Sequence, residues 1–339
     1  MYSVEHDVFL LGGRQSQRTP AETLGDLVDY SRVADRSGFD TVWFAEHHFI
    51  DYGLNPATMT MASHVLAATD NINVGTAVVM LSQHHPVMVG EQVALLEALA
   101  PGRFRLGVGR GGPWVDLEVF NSSLERFESG FPEALEVLRR WLTADGDVWF
   151  AGDRFSFRPV SPVPPPPYRE SDPNLMWVAA TGEHTARLAG RMGLPLLLGM
   201  HTVPADHEHM IDIWRQEASA HGHDVHRAQH AAALLAQVVD GPGDRSRLWH
   251  RMRTLLGYTD QYQSLLRRGS PNHDAYVDFL LSQHAVGSEQ EVMEKLTDAA
   301  DASGVRRQLL FVEGMGDPKA VTDNIATLGK LISLGGPRS

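Results

Sequence analysis

Eight short runs rich in β-branched and aromatic residues, each followed by a segment of helical periodicity, leave this chain few folds to choose from. The runs are DVFLL (7–11), TVWFA (41–45), INVGTAVVM (72–80), RFRLGVG (103–109), NLMWVAA (174–180), LPLLLG (194–199), ALLAQVV (233–239) and QLLFVEG (308–314). Between the first two, Pro20 opens and Gly38 closes a predicted helix. Its apolar residues Leu24, Leu27, Val28, Tyr30, Val33 and Ala34 recur at about 3.6-residue spacing, so one face is buried. Several runs are continuously apolar, as parallel strands covered by helices are. A doubly wound sheet would share that property. The count of eight, and the absence of a GxGxxG turn after the first strand, favour a (β/α)8 TIM barrel spanning 1–339 as one domain.

Two segments break the repeat. The proline-rich stretch 158–173 fits only an extended surface connection before the fifth strand. Residues 257–283 lengthen the seventh βα connection, and a long insertion at that end of a barrel is expected to form an active-site lid.

Composition narrows the partners. A net charge of -13 without a basic stripe disfavours nucleic acid and anionic membrane, which leaves a small molecule. With no cysteine, disulfides, thiolate metal sites and a cysteine nucleophile are excluded. The stretch MYSVEHDVFLLGG carries acids where a secretion signal needs bases, and no apolar run approaches the roughly 20 residues of a membrane span, so a cytoplasmic location is expected. Only three of the 29 basic residues are lysines, a bias that often reflects a GC-rich genome; a GC-rich producer would fit a role in secondary metabolism.

The C-terminal ends of barrel strands form the active-site face, and Glu46, His47 and His48 fall there after the second strand. Neighbouring strand residues point to opposite sides, so one histidine should face the pocket and the other pack away. Two polar strand-end residues with satisfied hydrogen bonds would look the same. Arg110 ends the fourth strand among glycines and could clamp a phosphate with its planar fork of donors; a solvated arginine in a turn is the equal alternative. Thr181, Gly182 and Thr185 lie on a strand-to-helix turn whose backbone N–H groups could hold an anion, although ordinary capping by Thr181 explains them too. Arg126 could add a second cation. The histidines of HTVPADHEH (201–209) and HGHDVH (221–226) lack zinc spacing, and no metal is expected.

The segments GFDTVWFAEHHF (38–49), NVGTAVVMLSQHHPV (73–87), GRFRLGVGRG (102–111), GLPLLL (193–198) and HGHDVH together resemble the bacterial luciferase family of flavin-dependent monooxygenases, most closely the α subunit. The resemblance spans nearly the whole chain and implies the same barrel fold. It implies that His47 is the active-site histidine beside the flavin's reacting edge, and that Ala77-Val78 is a non-proline cis peptide against the flavin ring. It further implies that Arg110, Arg126 and Thr185, with the backbone of Thr181 and Gly182, hold the flavin phosphate. Reduced FMN from a separate reductase and O2 would be the co-substrates, and His47 would work near its ordinary pKa of about 6.5. Phe49, Met200 and His201 are the substrate-pocket candidates. A homodimer is implied through the helices after the second and third strands, with Glu91 near the seam.

Three positions depart from the family pattern. Gly109 replaces a cysteine, which opens room beside the flavin. Gly182 replaces a serine but keeps its N–H. Met200 replaces a tryptophan, so light emission and a fatty aldehyde are not carried over. Hydride transfer with a deazaflavin is the alternative chemistry on this barrel. A non-catalytic partner subunit like the luciferase β chain is the alternative role, and the presence of His47, Arg110, Arg126 and Thr185 in one chain speaks against it.

Overall fold

The computed structural model describes residues 4–15, 17–112, 115–169, 172, 174–261 and 272–335. Its strands are β1 (Glu5–Leu10), β2 (Thr41–Phe44), β3 (Asn73–Thr76), β4 (Val79–Met80), β5 (Phe104–Arg105), β6 (Gly107–Gly109), β7 (Val148–Ala151), β8 (Ser156–Val160), β9 (Trp177–Ala180), β10 (Leu196–Leu198), β11 (Ala231–Val238), β12 (Ala285–Gly287) and β13 (Arg307–Phe311). The main sheet runs β4-β6-β9-β10-β11-β13-β1-β2-β3-β5. The ends of that path are not free edges. β3 and β4 are one chain segment parted by Ala77 and Val78, β5 and β6 are parted by Leu106, and β3 pairs with β5 as β4 pairs with β6, all in parallel. The sheet closes into the expected eight-stranded barrel, with the third and fourth runs each broken in two. Among the described residues no helix is long and apolar enough to cross a membrane.

The two-residue period of the strands sorts their side chains. Val8, Val42, Phe44, Val178, Leu196 and Leu310 join the core beneath the helices. Trp43, Trp177, Leu197, Ala233, Leu309 and Phe311 point into the barrel. Trp43 and Trp177 meet edge to face, with ring centroids 5.5 Å apart. The Trp43 indole donates to Asp7 at 2.8 Å, and Arg307 donates to the same carboxylate oxygen at 2.7 Å. Gly75 lets the Trp43 ring lie flat on the strand, since a Cβ there would come within 2.4 Å of it. Toward the C-terminal ends the inward side chains shrink to Ala45, Ala179 and Ala233, and a hollow remains.

Two features depart from expectation. The stretch 158–173 does not begin as an irregular connection: β7 and β8 form an antiparallel hairpin that ends at Val160, with Phe150 inside and Trp149 outside. The insertion after β11 is longer than the 257–283 segment, because it begins with the helix Pro242–Gly257 and continues through the helix His273–Gln283 to β12, which pairs with the end of β11. Residues 262–271 of the expected lid lie outside the described residues. Its described flanks are held in place by a 2.8 Å bond between His273 and Asp260 and by Gln261, which accepts from the Asp51 N–H at 2.6 Å.

Burial lowers His6, His47 and His284 to about 4 and His230 to about 3. Between pH ~6.5 and ~4 the unfolded chain therefore binds protons that these four folded histidines refuse, which makes stability fall as pH falls through that window. Burial raises Asp7 to about 6, against Arg307 and Trp43, and raises Glu313 to about 7, against the N–H groups of Leu11 and Gly12. Those two carboxyls act in the opposite sense, so four histidines oppose two acids. The denaturant midpoint should drop between pH 7 and pH 5; a constant or rising midpoint would contradict this balance.

Candidate active site

Two connected chambers open at the C-terminal end of the barrel. The upper, about 780 Å³, has Glu46, Arg110, Asp116, Phe127, Thr259, His273 and Tyr276 in its walls. The lower, about 210 Å³, descends among Phe9, Leu11, Ala45, Ala179, Leu197, Leu309 and Phe311. His47, Tyr52, Ala77, Val78, Thr181 and His201 line both. The combined size suits a cofactor or a drug-sized ligand, for which clefts of roughly 300 to 1,000 Å³ are usual. A separate groove of about 870 Å³ opens on the flank, between the start of the helix Pro86–Leu99 and the hairpin.

The end of β2 sets the first wall. Glu46 is buried and accepts from the Thr58 hydroxyl at 2.9 Å, which ties the strand end to the start of the helix Thr58–Ala68. His84 Nε2 lies 3.3 Å and His48 Nε2 3.6 Å from its other oxygen. Burial works to raise the Glu46 pKa, but hydrogen bonds from His48, His84 and Thr58 outweigh it and hold the carboxylate at about 2. His48 packs against Phe120 at 4.9 Å, away from the chambers, while His47 faces them; both lie beyond the end of β2, so their directions are set by the loop and not by strand alternation. The Nδ1 of His47 is buried without a partner, and the ring stands edge-on to Tyr52 at 5.1 Å. Burial takes His47 to about 4, so the ordinary value of about 6.5 does not hold and the ring is neutral at pH 7. A Cβ on Gly53 would sit 2.7 Å from Nδ1, so glycine at 53 sets the position of the ring.

A second wall carries Arg110 and Thr181, while Gly182 and Thr185 line neither chamber. Arg110 follows β6 and lies 4.4 Å over the Phe127 ring, with no hydrogen bond or ion pair among the described residues. The helix Glu183–Arg191 has Gly182 at its N-cap and no side chain capping it, so ordinary capping by Thr181 does not occur. Its first-turn acid, Glu183, turns outward to Arg187 at 3.3 Å and His209 at 3.1 Å. Thr185 lies in that first turn, half-buried, with its N–H bonded to the Gly182 carbonyl at 3.1 Å. Arg126 is not brought to this wall. It lines the flank groove, donates to the His84 carbonyl at 2.7 Å and lies over Phe155.

The peptide bond Ala77-Val78 is cis and not followed by proline, and both side chains line both chambers. The room expected at Gly109 is taken: a Cβ there would come within 2.6 Å of Val78 Cγ2. Met200 and His201 line the lower chamber. Phe49 does not line either; it is 51% exposed, has a left-handed φ of 62° and rests against Phe120 at 5.6 Å. The reading of the sequence missed Tyr52, Asp116, Phe127 and Tyr276. Tyr52 could have been found from its place in the same loop as His47. Tyr276 gave no signal, because only the fold of the insertion brings it to the site. The histidines of 201–209 and 221–226 are dispersed: His207 bonds to Thr202 at 2.8 Å and His223 to the Arg191 carbonyl at 2.9 Å. Among the described residues no group of three or more His, Asp or Glu could hold a metal ion.

Comparison with known proteins agrees with the fold. The family model for luciferase-like monooxygenases matches residues 4–330. The chain is 27% identical to the alkanal monooxygenase alpha chain of Photorhabdus luminescens, covering 88% of this chain and 87% of the relative. It is 28% identical to the beta chain from Vibrio harveyi, covering 91% and 93%. A monooxygenase from Streptomyces bottropensis shares the fold with a TM-score of 0.80 at 19% identity, covering 96% and 98%. The chain belongs to the luciferase-like monooxygenase family.

Proposed function

We propose that this protein is a monooxygenase that takes reduced FMN from a separate reductase and uses O2 to oxygenate a small organic molecule. One observation carries the reading: a single cavity gathers an unpaired arginine, an uncapped helix N-terminus at its edge, an apolar cis peptide and a neutral buried histidine. The residues fit the flavin. Arg110 offers a planar fork of donors to a phosphate, and the free N–H groups at the start of Glu183–Arg191, beside Thr185, favour the same anion. Ala77 and Val78 give a flat ring an apolar support. When bound, reduced FMN supplies the electrons that activate O2. Around it the chain must exclude water, and Thr259, His273 and Tyr276 of the insertion stand over the upper chamber for that purpose. His47, neutral at pH 7 and with Nδ1 free, can take a proton at that atom during the reaction.

A deazaflavin is the second reading, because a deazaflavin-dependent secondary alcohol dehydrogenase shares the fold with a TM-score of 0.75 at 19% identity. Equilibrium titration with both cofactors separates the two; tighter binding of FMN is expected. We also place a homodimer on the helices Thr58–Ala68 and Pro86–Leu99, where Met88, Leu95 and Leu99 are exposed in a row beside Glu91. Light scattering at micromolar concentration should give twice the chain mass; the mass of one chain would overturn the assembly.

Arg110→Ala should weaken FMN binding by about 1.5 to 3 kcal/mol, the range for a hydrogen bond to a charged group, and leave riboflavin nearly unaffected. Equal losses for both would remove the phosphate role. His47→Ala should retain FMN binding while product per O2 consumed collapses and hydrogen peroxide rises, whereas His48→Gln, away from the cavity, should keep the wild-type ratio. Unchanged coupling in His47→Ala would take His47 out of the chemistry.

A further inference from the structure

Glu313 is buried just beyond the end of β13, lines neither chamber and has no part in the flavin reading. Its carboxylate accepts from the Leu11 N–H and, at 3.2 Å, from the Gly12 N–H, where the chain leaves β1. We infer that Glu313 is a positioning residue for His47: by fixing the peptide between Leu11 and Gly12 it sets the backbone on which the His47 ring rests. The inference rests on the flavin reading only in giving His47 a chemical task.

Backbone contacts carry the coupling. The Leu11-Gly12 peptide is trans, so its N–H points at Glu313 while its carbonyl, on Leu11, points the other way. Gly53 lies on that carbonyl side: a Cβ there would come within 3.0 Å of the Leu11 oxygen and 2.7 Å of His47 Nδ1. The bare Gly53 backbone is thus held between the Leu11 carbonyl and the imidazole. Two further bonds join the same loops, from the Leu54 N–H to the Gly12 carbonyl at 2.9 Å and from the Arg14 N–H to the Asp51 carbonyl at 2.9 Å. Leu11, Tyr52 and His47 all line the lower chamber. A displacement of the Leu11-Gly12 peptide therefore passes to the Tyr52-Gly53 brace, and through it to the ring.

Ionisation sets how firmly the brace is held. A carboxylate offers acceptors to both N–H groups, whereas a protonated carboxyl has one carbonyl oxygen and a hydroxyl for the same two donors. Asp26 and Tyr30 of the helix Pro20–Arg36, Tyr52 of the loop after β2 and Arg251 of the helix Pro242–Gly257 face Glu313. The Arg251 guanidinium bonds to the Arg14 carbonyl at 2.8 Å and so braces the same loop. Burial raises Glu313 to about 7, with the two N–H groups and Arg251 opposing the rise. Glu46, His48 and His201 face His47, which burial lowers to about 4. The hold on the ring is therefore firm above about pH 7 and slack below it, while the ring itself stays neutral across that step.

The test reads His47 directly and needs no cofactor. Nuclear magnetic resonance of the full chain carrying isotope-labelled histidine, with the His47 ring signals identified by their loss in His47→Gln, follows the ring from about pH 8.5 down to about pH 5. The wild type should show a step in the His47 shifts near pH 7, well above the ring's own protonation near pH 4. Glu313→Gln keeps the side-chain shape and one acceptor but cannot ionise, so the step should vanish and the ring should keep its low-pH signals throughout. A wild-type ring without a step near pH 7 would overturn the inference without any variant having to fold. So would a step that survives in folded Glu313→Gln, the result expected of a glutamate whose part is structural only. The flavin reading fails separately, by absence of FMN binding in the wild type.

Discussion

Trp43 and Trp177 meet edge to face inside the barrel, and beside them Phe9, Leu197, Leu309 and Phe311 line the lower chamber. Below them Asp7 is pinned by the Trp43 indole and by Arg307, a buried charge matched by an opposite charge and a neutral donor. Losing Arg307 would leave the buried Asp7 carboxylate without its counter-charge, while Arg307 is itself held by Glu5 and Asp40 as well, so the base of the barrel is tied together by a charged network. Above the two indoles the inward positions are alanines, and the backbone between β3 and β4 takes a cis bond instead of a ladder register. Large residues low and small ones high turn a solid barrel core into a cup.

The acid and paired histidines after β2 have different tasks, although they are adjacent. Glu46 anchors: its bond to Thr58 fixes the strand end to the next helix, and its other oxygen organises His48 and His84. His48 then fills space against Phe120. Of the two histidines only His47 turns to the cavity, kept upright by Tyr52 on one side and by the bare backbone of Gly53 on the other. A neutral imidazole with a free buried nitrogen costs stability.

Much of this was legible in the sequence because the barrel repeats its signals. Eight apolar runs set out the architecture, and the expectation that one of the paired histidines faces the pocket agrees with His47 lining the chambers, although both lie beyond the strand. Arg110 stood out because it follows a strand among glycines, and it lines the upper chamber. Other features depend on distances that no local pattern encodes. Arg126 lies in the short helix Leu124–Glu128, yet its guanidinium is drawn to the His84 carbonyl and to Phe155 from the hairpin, an element hidden before a proline-rich stretch. The Gly109 vacancy was read correctly as a missing side chain and wrongly as empty space, because Val78 fills it. Tyr276 reaches the cavity through a two-helix insertion whose path the helical periodicity does not reveal. The pKa of His47 also depends on burial by partners scattered along the chain.

The central claim is that one wall of this cup holds a flavin phosphate and the facing wall holds the substrate. A crystal structure of the FMN complex tests it most directly. The account predicts the phosphate between Arg110 and the N–H groups that open Glu183–Arg191, with the ring against Ala77 and Val78 and His201 left free. A phosphate lodged in the flank groove between Arg126 and Arg154, or a ring stacked on Tyr276, would contradict it.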